Sequence, residues 1–167
     1  MVSSPAPNRF PVLIVEDNVV NRLVLKKQLI RLGFTIYEAN HGEEALAFLQ
    51  TTRLYAGNEQ SGKDLALVLM DWEMPVMDGL TCVRHIRAMQ AEGQLRGDIP
   101  IIGCTANARK EQIETAMEAG MVSLSCFYHP RSTHANTRDQ DSVVSKPFRV
   151  PELVKQMEEL VGRVPET

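Results

Sequence analysis

The sequence predicts an α/β fold, a doubly wound five-stranded parallel sheet with helices on both faces. Three observations carry this. Short unbroken apolar runs at residues 12–15, 65–70 and 99–104 each end on or beside a polar side chain, as strands buried on both faces do. Segments with apolar residues at helical spacing fall between them. The alternation of the two types repeats along the chain, which suits parallel strands joined by right-handed helical crossovers.

Taken in order, Pro11 opens the first apolar run, which ends on the acidic pair Glu16 and Asp17. Asn18 is a good N-cap for a helix over residues 19–32. That helix carries two apolar stripes, Val19/Leu23/Ile30 and Leu25/Leu29/Leu32. One can cover the sheet; the other needs a different partner. Gly33 stops it. Residues 34–39 alternate weakly and read as a strand. His41 and Gly42 turn into a helix with Ala45, Leu46 and Leu49 at helical spacing. Residues 51–63 are polar and contain glycine, so they read as a surface loop. The run 65–70 is the central strand and stops on Asp71; Met74–Pro75 and Asp78–Gly79 are turn signals. A helix follows, with Val83, Ile86 and Met89 on one face, then a loop over 93–98. The run 99–104 is the fourth strand and leads into Thr105. Residues 108–119 read as a helix with Ile113, Ala116 and Met117 inward, capped by Gly120. Residues 143–145 form a short strand running into Lys146, Pro147 and Phe148. The last helix starts at Pro151, a favoured first position, and its face is Leu153, Val154, Met157, Leu160 and Val161.

Composition bounds the rest. A chain of 167 residues fits one domain with a sizeable core. The net charge of −3 gives no basic footprint for nucleic acid. No apolar run approaches the ~18 residues of a membrane helix. Residues 1–10 read as a polar, proline-rich tail without the apolar core of a signal peptide, and 164–167 as a second tail. The three cysteines, Cys82, Cys104 and Cys126, are scattered and odd in number. That favours reduced thiols and an intracellular setting, the cytoplasm or the nucleus.

In such sheets functional groups collect at the carboxyl ends of the strands. Here those ends supply Glu16 and Asp17, then Asp71, Thr105 and Lys146. Taken alone, Asp71 suits a nucleophile or metal ligand and equally a cap for the next helix. The joint pattern is more specific. Three packed carboxylates repel one another unless a cation joins them. A hard ion such as Mg²⁺ takes oxygen ligands and keeps several waters. Lys146 would offset remaining charge, and Thr105 adds a hydroxyl donor. Such a set is built to hold a phosphoryl group, with Asp71 as nucleophile forming an aspartyl phosphate.

Four runs are similar to the receiver, or response-regulator, domains of two-component phosphorelay signalling. They are V-E-D-N at 15–18, V-L-M-D-W-E-M-P-V-M-D-G at 68–79, C-T-A-N-A at 104–108 and S-K-P-F at 145–148. The resemblance covers roughly residues 11–161, within a domain of 11–163. It is closest to receivers of fungal-type hybrid histidine kinases. It implies a flavodoxin-like sheet of order 2-1-3-4-5 and phosphoryl transfer from a phosphohistidine to Asp71. It implies Mg²⁺ held by Glu16, Asp17, Asp71 and the backbone carbonyl of Glu73. Its partners would be a histidine kinase or histidine-phosphotransfer protein, met through the first helix and nearby loops: Asn18, Asn21, Arg22, Pro75 and Pro147. The chain itself would be a monomer or weak dimer. The family's switch pairs Thr105 with an aromatic residue at the position of Val143; valine there puts that switch in doubt. Glu73 adds a carboxylate able to slow or steer attack by water on the phosphoryl group.

The same residues admit other readings. An aspartate-nucleophile hydrolase wants a second Asp two residues past the nucleophile, where Glu73 stands. A pseudo-receiver that only binds partners is the alternative that an insertion at 122–140 favours. No kinase core is present: there is no nucleotide-binding G-x-x-x-x-G-K loop. The chain would catalyse its own phosphorylation and dephosphorylation rather than turn over a substrate. Cys126, His129 and His134 lack the fourth ligand of a structural zinc site. The Leu25/Leu29/Leu32 stripe fits either a docking face or core packing. Residues 122–140 lack helix or strand period, and deleting them restores the family's spacing before the fifth strand. Val122–Ser123 can be encoded GTAAGY, Ala135–Asn136 can contain CTAAC, and Gln140 can be CAG. The segment therefore reads as a translated intron or, failing that, an ordinary loop insertion.

Overall fold

The structure is a computed structural model that describes residues 8–105, 115, 118–119, 143–145 and 149–162. Five strands, β1 (Pro11–Val15), β2 (Thr35–Ala39), β3 (Leu67–Asp71), β4 (Ile101–Thr105) and β5 (Val143–Ser145), form one sheet of order β2-β1-β3-β4-β5. Every pairing is parallel. The helices α1 (Val19–Arg31), α2 (Gly42–Leu49), α3 (Gly79–Ala91) and α4 (Val150–Val161) cover its two faces.

Strand alternation sorts the core into two layers. Val12 and Ile14 of β1 pack with Leu67, Leu69, Ile102 and Cys104 under α1 and α4. Leu13 and Val15 point the other way and pack with Val68, Met70 and Ile101 under α2 and α3. β3 and β4 are buried along their whole length, which is why they read as unbroken apolar runs rather than alternating ones. Trp72 packs in the α2/α3 layer, and its indole N–H has no partner among the described residues. Burial pushes the Cys82 thiol of α3 up to about 12, with the charge of Asp78 adding to the effect.

The caps follow the sequence. Asn18 accepts from the backbone N–H of Val20 and Asn21, both at 3.0 Å. The expected turn at Asp78–Gly79 is the start of α3, where Asp78 accepts from the N–H of Thr81 at 2.7 Å. α4 starts at Val150, one residue before Pro151. Gly33 adopts φ 92°, as the stop of α1 requires.

Of the two uses open to the Leu25/Leu29/Leu32 stripe of α1, the structure shows core packing for its first two residues. Leu29 is fully buried and Leu25 half-buried against the sheet, and Leu32 lies at the helix end. It is the stripe Val19/Leu23/Ile30 that faces outward, at 54%, 43% and 47% exposure. The expected surface loop over 51–63 is there, and it is pinned at two points. Its Lys63 pairs with Thr52, and its Tyr55 with Leu95 beyond α3. Thr52 is buried, with its hydroxyl donating to the carbonyl of Leu49 at 2.6 Å. The helix expected over 108–119 lies mostly outside the described residues, as do Ile113, Ala116, Met117 and the segment 122–140; Thr115 and Glu118 are helical, and Ala119 is buried.

Candidate functional site

The acidic residues meet at the carboxyl edge of the sheet because β1 and β3 are neighbours in register, Val15 beside Met70. One carboxylate oxygen each from Glu16, Asp17 and Asp71 lie within 4.8 Å of one another. Glu16 and Asp71 are each 7% exposed, whereas Asp17 stands in solvent. Two recessed carboxylates with an exposed third make a site that is partly desolvated yet reachable. Oxygen donors at this spacing match a hard divalent cation, which relieves their mutual repulsion.

Each ligand is positioned by backbone. Glu16 continues the β1–β2 pairing, its N–H donating to Ala39 O at 3.1 Å. Its carboxylate accepts from the N–H of Asn18 at 3.2 Å, so the cap of α1 and the site share a hydrogen bond. Asp71 is the last residue of β3, level with Cys104 of β4. The next N–H, that of Trp72, donates to Cys104 O at 3.1 Å. Thr105 ends β4 and is 1% exposed. A shallow cavity beside Glu16 and Asp71 is lined by Ile14, Leu25, Leu69 and Cys104.

The other expected residues divide. Glu73 and Pro75 are exposed on the loop after Asp71, and Asn21 is exposed on the first turn of α1. Asn18 spends its side-chain oxygen on capping. Arg22 turns inward, its side chain 11% exposed. Its guanidinium donates to Glu16 O at 2.6 Å and to Glu38 at 3.2 Å. Lys26 also pairs with Glu38. The Lys26 hydrogen bond, opposed by burial and aided by the charge of Lys26 and by Arg22, holds the Glu38 carboxyl below the usual glutamate range. Val143 pairs with Gly103 in the backbone ladder; Lys146 and Pro147 lie outside the described residues.

Two features escaped the sequence reading. Gly79 donates its N–H to Trp72 O at 3.1 Å, and a Cβ on it would lie 2.2 Å from Asp71 O. The turn signal pointed to a glycine here, but not to its contact with Asp71. Val76 has φ 69° and is 71% exposed. Nothing in a β-branched residue announces a left-handed conformation.

A five-stranded parallel sheet with an acidic trio at its carboxyl edge defines a class, and comparison with known proteins agrees. Residues 12–124 match the family model of the response regulator receiver domain, and the chain belongs to that family. It is a receiver domain of the two-component phosphorelay type. It is 31% identical over 149 residues to the peroxide stress-activated histidine kinase mak2 of Schizosaccharomyces pombe, covering 89% of this chain and 5% of that protein. It spans between 5% and 11% of the length of mak2 and of the other sensor and hybrid signalling proteins among its first curated relatives. The receiver domain of sensor histidine kinase PA1611 from Pseudomonas aeruginosa superposes with a TM-score of 0.65 at 29% identity, over 92% of this chain and 98% of that one. That structure holds a magnesium ion coordinated in its active-site cleft. The receiver domain of Saccharomyces cerevisiae Ssk1, solved with the histidine phosphotransfer protein Ypd1, shares the fold, with a TM-score of 0.66 at 22% identity over 91% and 88% of the two chains. Among the described residues no helix is long and apolar enough to cross a membrane.

Proposed function

We propose that Asp71 accepts a phosphoryl group from a phosphohistidine on a histidine kinase or histidine-phosphotransfer protein, and relays it or changes partner binding in response. The observation that carries this is the trio of carboxylate oxygens within 4.8 Å, with Asp71 at the end of the central strand. A carboxylate oxygen of Asp71 attacks phosphorus as the bond to the imidazole nitrogen breaks, and the imidazole leaves. Glu16, Asp17 and Asp71 would hold Mg²⁺, with the Glu73 carbonyl as the further ligand the family implies. Mg²⁺ supplies charge neutralisation for the phosphoryl oxygens. Thr105, buried at the neighbouring strand end, supplies a hydroxyl donor to one phosphoryl oxygen, and Lys146 a cation to another.

The exposed apolar side chains Val19, Val20 and Leu23 lie on the first turns of α1, beginning two residues after Asp17, and they offer a surface that a partner would cover. Asn21 lies among them. The setting that suits this relay is the cytoplasm or nucleus, with the chain as a monomer or weak dimer. The hydrolase reading has no second Asp to offer, since Glu73 occupies that place and points to solvent.

Incubation with acetyl phosphate and Mg²⁺ should add one phosphoryl group by intact-mass measurement, and chelation of Mg²⁺ should abolish the gain. Asp71→Asn should gain none. A variant phosphorylated as well as wild type refutes the assignment. A wild-type chain that gains no phosphate is instead the pseudo-receiver that 122–140 favours.

A further inference from the structure

Arg22 holds together the chain segments that carry two of the three carboxylates. Its backbone N–H donates to Asn18 O at 2.9 Å, joining α1 to its cap residue. Its side chain then turns back over the cap. Nη1 donates to Glu16 O at 2.6 Å and Nε to Glu38 Oε1 at 3.2 Å. Lys26, one turn further along α1, holds the other oxygen of Glu38. One guanidinium thus spans the exit of β1 and a side chain of β2. The planar fork of arginine suits that span, whereas a lysine ammonium is a point charge without it.

A hydrogen bond from a cation to a carbonyl is stronger than a neutral one, and this one falls where it bears on the metal site. Glu16 O and the Asp17 N–H belong to one planar peptide unit. Fixing that carbonyl fixes the Cα atoms of both residues, and with them the directions in which both carboxylates leave the chain. Glu16 is held at two further points: its N–H donates to Ala39 O at 3.1 Å, and its carboxylate accepts from the Asn18 N–H at 3.2 Å. Asp17 stands in solvent, so no packing aims it. The Arg22 bond carries the order of β1 past its end to Asp17. Lys26 already joins α1 to β2 through Glu38, so that link does not require Arg22. The shorter bond of Arg22 goes to Glu16.

We propose that Arg22 is a positioning residue for the divalent-cation site, aiming Glu16 and Asp17 through the peptide they share. This rests on the reading of Glu16, Asp17 and Asp71 as Mg²⁺ ligands and not on phosphoryl transfer, and the test separates the two. Losing a hydrogen-bond partner that orients a metal ligand costs about 10–100-fold in affinity.

Arg22→Met keeps the apolar stem and removes every donor; Arg22→Gln, neutral and shorter, is the second variant. Trp72 is the only tryptophan of the chain and follows Asp71 directly. Its fluorescence reports Mg²⁺ titrated alone, with calorimetry as the check. Both variants should need about tenfold more Mg²⁺ for half-saturation. Their phosphorylation by acetyl phosphate should return to the wild-type rate once Mg²⁺ saturates. Glu38→Gln loosens the α1–β2 link without removing the Arg22 donors, and it should bind Mg²⁺ as wild type does. Wild-type Mg²⁺ affinity in the folded Arg22 variants overturns the proposal. So does an equal loss in Glu38→Gln, since the effect would then follow the strength of the α1–β2 link. A rate deficit that saturating Mg²⁺ leaves in place also overturns it, by placing Arg22 in shaping Asp71 itself. A wild-type chain that binds Mg²⁺ with this dependence on Arg22 but gains no phosphate leaves Arg22 standing and removes the phosphoacceptor reading alone.

Discussion

At the scale of single residues, Gly79 shows how the site constrains the chain around it. A Cβ there would meet Asp71 O at 2.2 Å and Trp72 Cα at 3.0 Å. Both are backbone atoms of β3 and its exit, so neither can swing away as a side chain would. Gly79→Ala should therefore cost about 3 kcal/mol, the upper end of overpacking, read as a lower urea midpoint. The displaced atom belongs to Asp71, so phosphorylation by acetyl phosphate should slow as well. An alanine variant with the wild-type midpoint would contradict the geometry. Gly42 is a milder case, because a Cβ there would meet the flexible end of Met77 and the Cβ of Cys82.

At the scale of elements, α1 is joined to β2 by charge as well as by apolar contact. Arg22 and Lys26 both reach Glu38, whose side chain is 28% exposed. The folded state holds Glu38 below its ordinary value of 4.5. Its contribution to stability is therefore present above about pH 4.5 and is lost as pH falls through the depressed folded value. Glu38→Gln should destabilise the protein by about 0.5–1 kcal/mol at neutral pH, a modest figure because solvent screens these groups. The gap between variant and wild type should close on acidification through that window, which denaturation at a series of pH values measures. A gap that persists at pH 3 would mean the cost comes from packing. The same helix marks a limit of sequence reading. Both of its apolar stripes have helical spacing, and neither composition nor period ranks them. The packing of α1 against β1 and β2 buries Leu29, half-buries Leu25 and leaves Val19, Leu23 and Ile30 outside.

At the scale of the molecule, the elements on either side of 122–140 are already part of the fold. β5 pairs with β4 through Gly103–Val143, Cys104–Val144 and Thr105–Ser145. α4 buries Leu153 and Met157 in the layer it shares with α1. The family match ends at residue 124, although a strand and a helix of the domain follow. We propose that 122–140 is foreign to the domain, a translated intron in origin. A loop lengthened about sevenfold costs about 1.7 kcal/mol of closure entropy, which a fold of this size can absorb. Deleting 122–140 should give a protein that melts at the same or a higher temperature and still takes phosphate from acetyl phosphate. A less stable deletion protein would show the segment to be part of the fold. Uninterrupted coding sequence at the locus would end the intron origin and leave an ordinary insertion.

The sequence by itself determined the strand positions, because strands buried on both faces need apolar side chains at every position and so leave unbroken runs at 12–15, 65–70 and 99–104. It also determined the acidic trio, because each run stops where the chain leaves the core and polar groups can be solvated or bind an ion. The cap of α1 was legible for a local reason: Asn18 bonds to amides two and three residues away. Tertiary structure alone decided the rest. Arg22 turns inward because the Glu16 carbonyl and Glu38 converge on it from separate strands. Residues 51–63 are pinned because Tyr55 meets Leu95, forty residues later in the chain. Val76 is forced to φ 69° because the loop around it is fixed to β3 by Gly79 and to α2 by Met77. Each of these depends on groups far apart in sequence, and no local pattern encodes the distance between them.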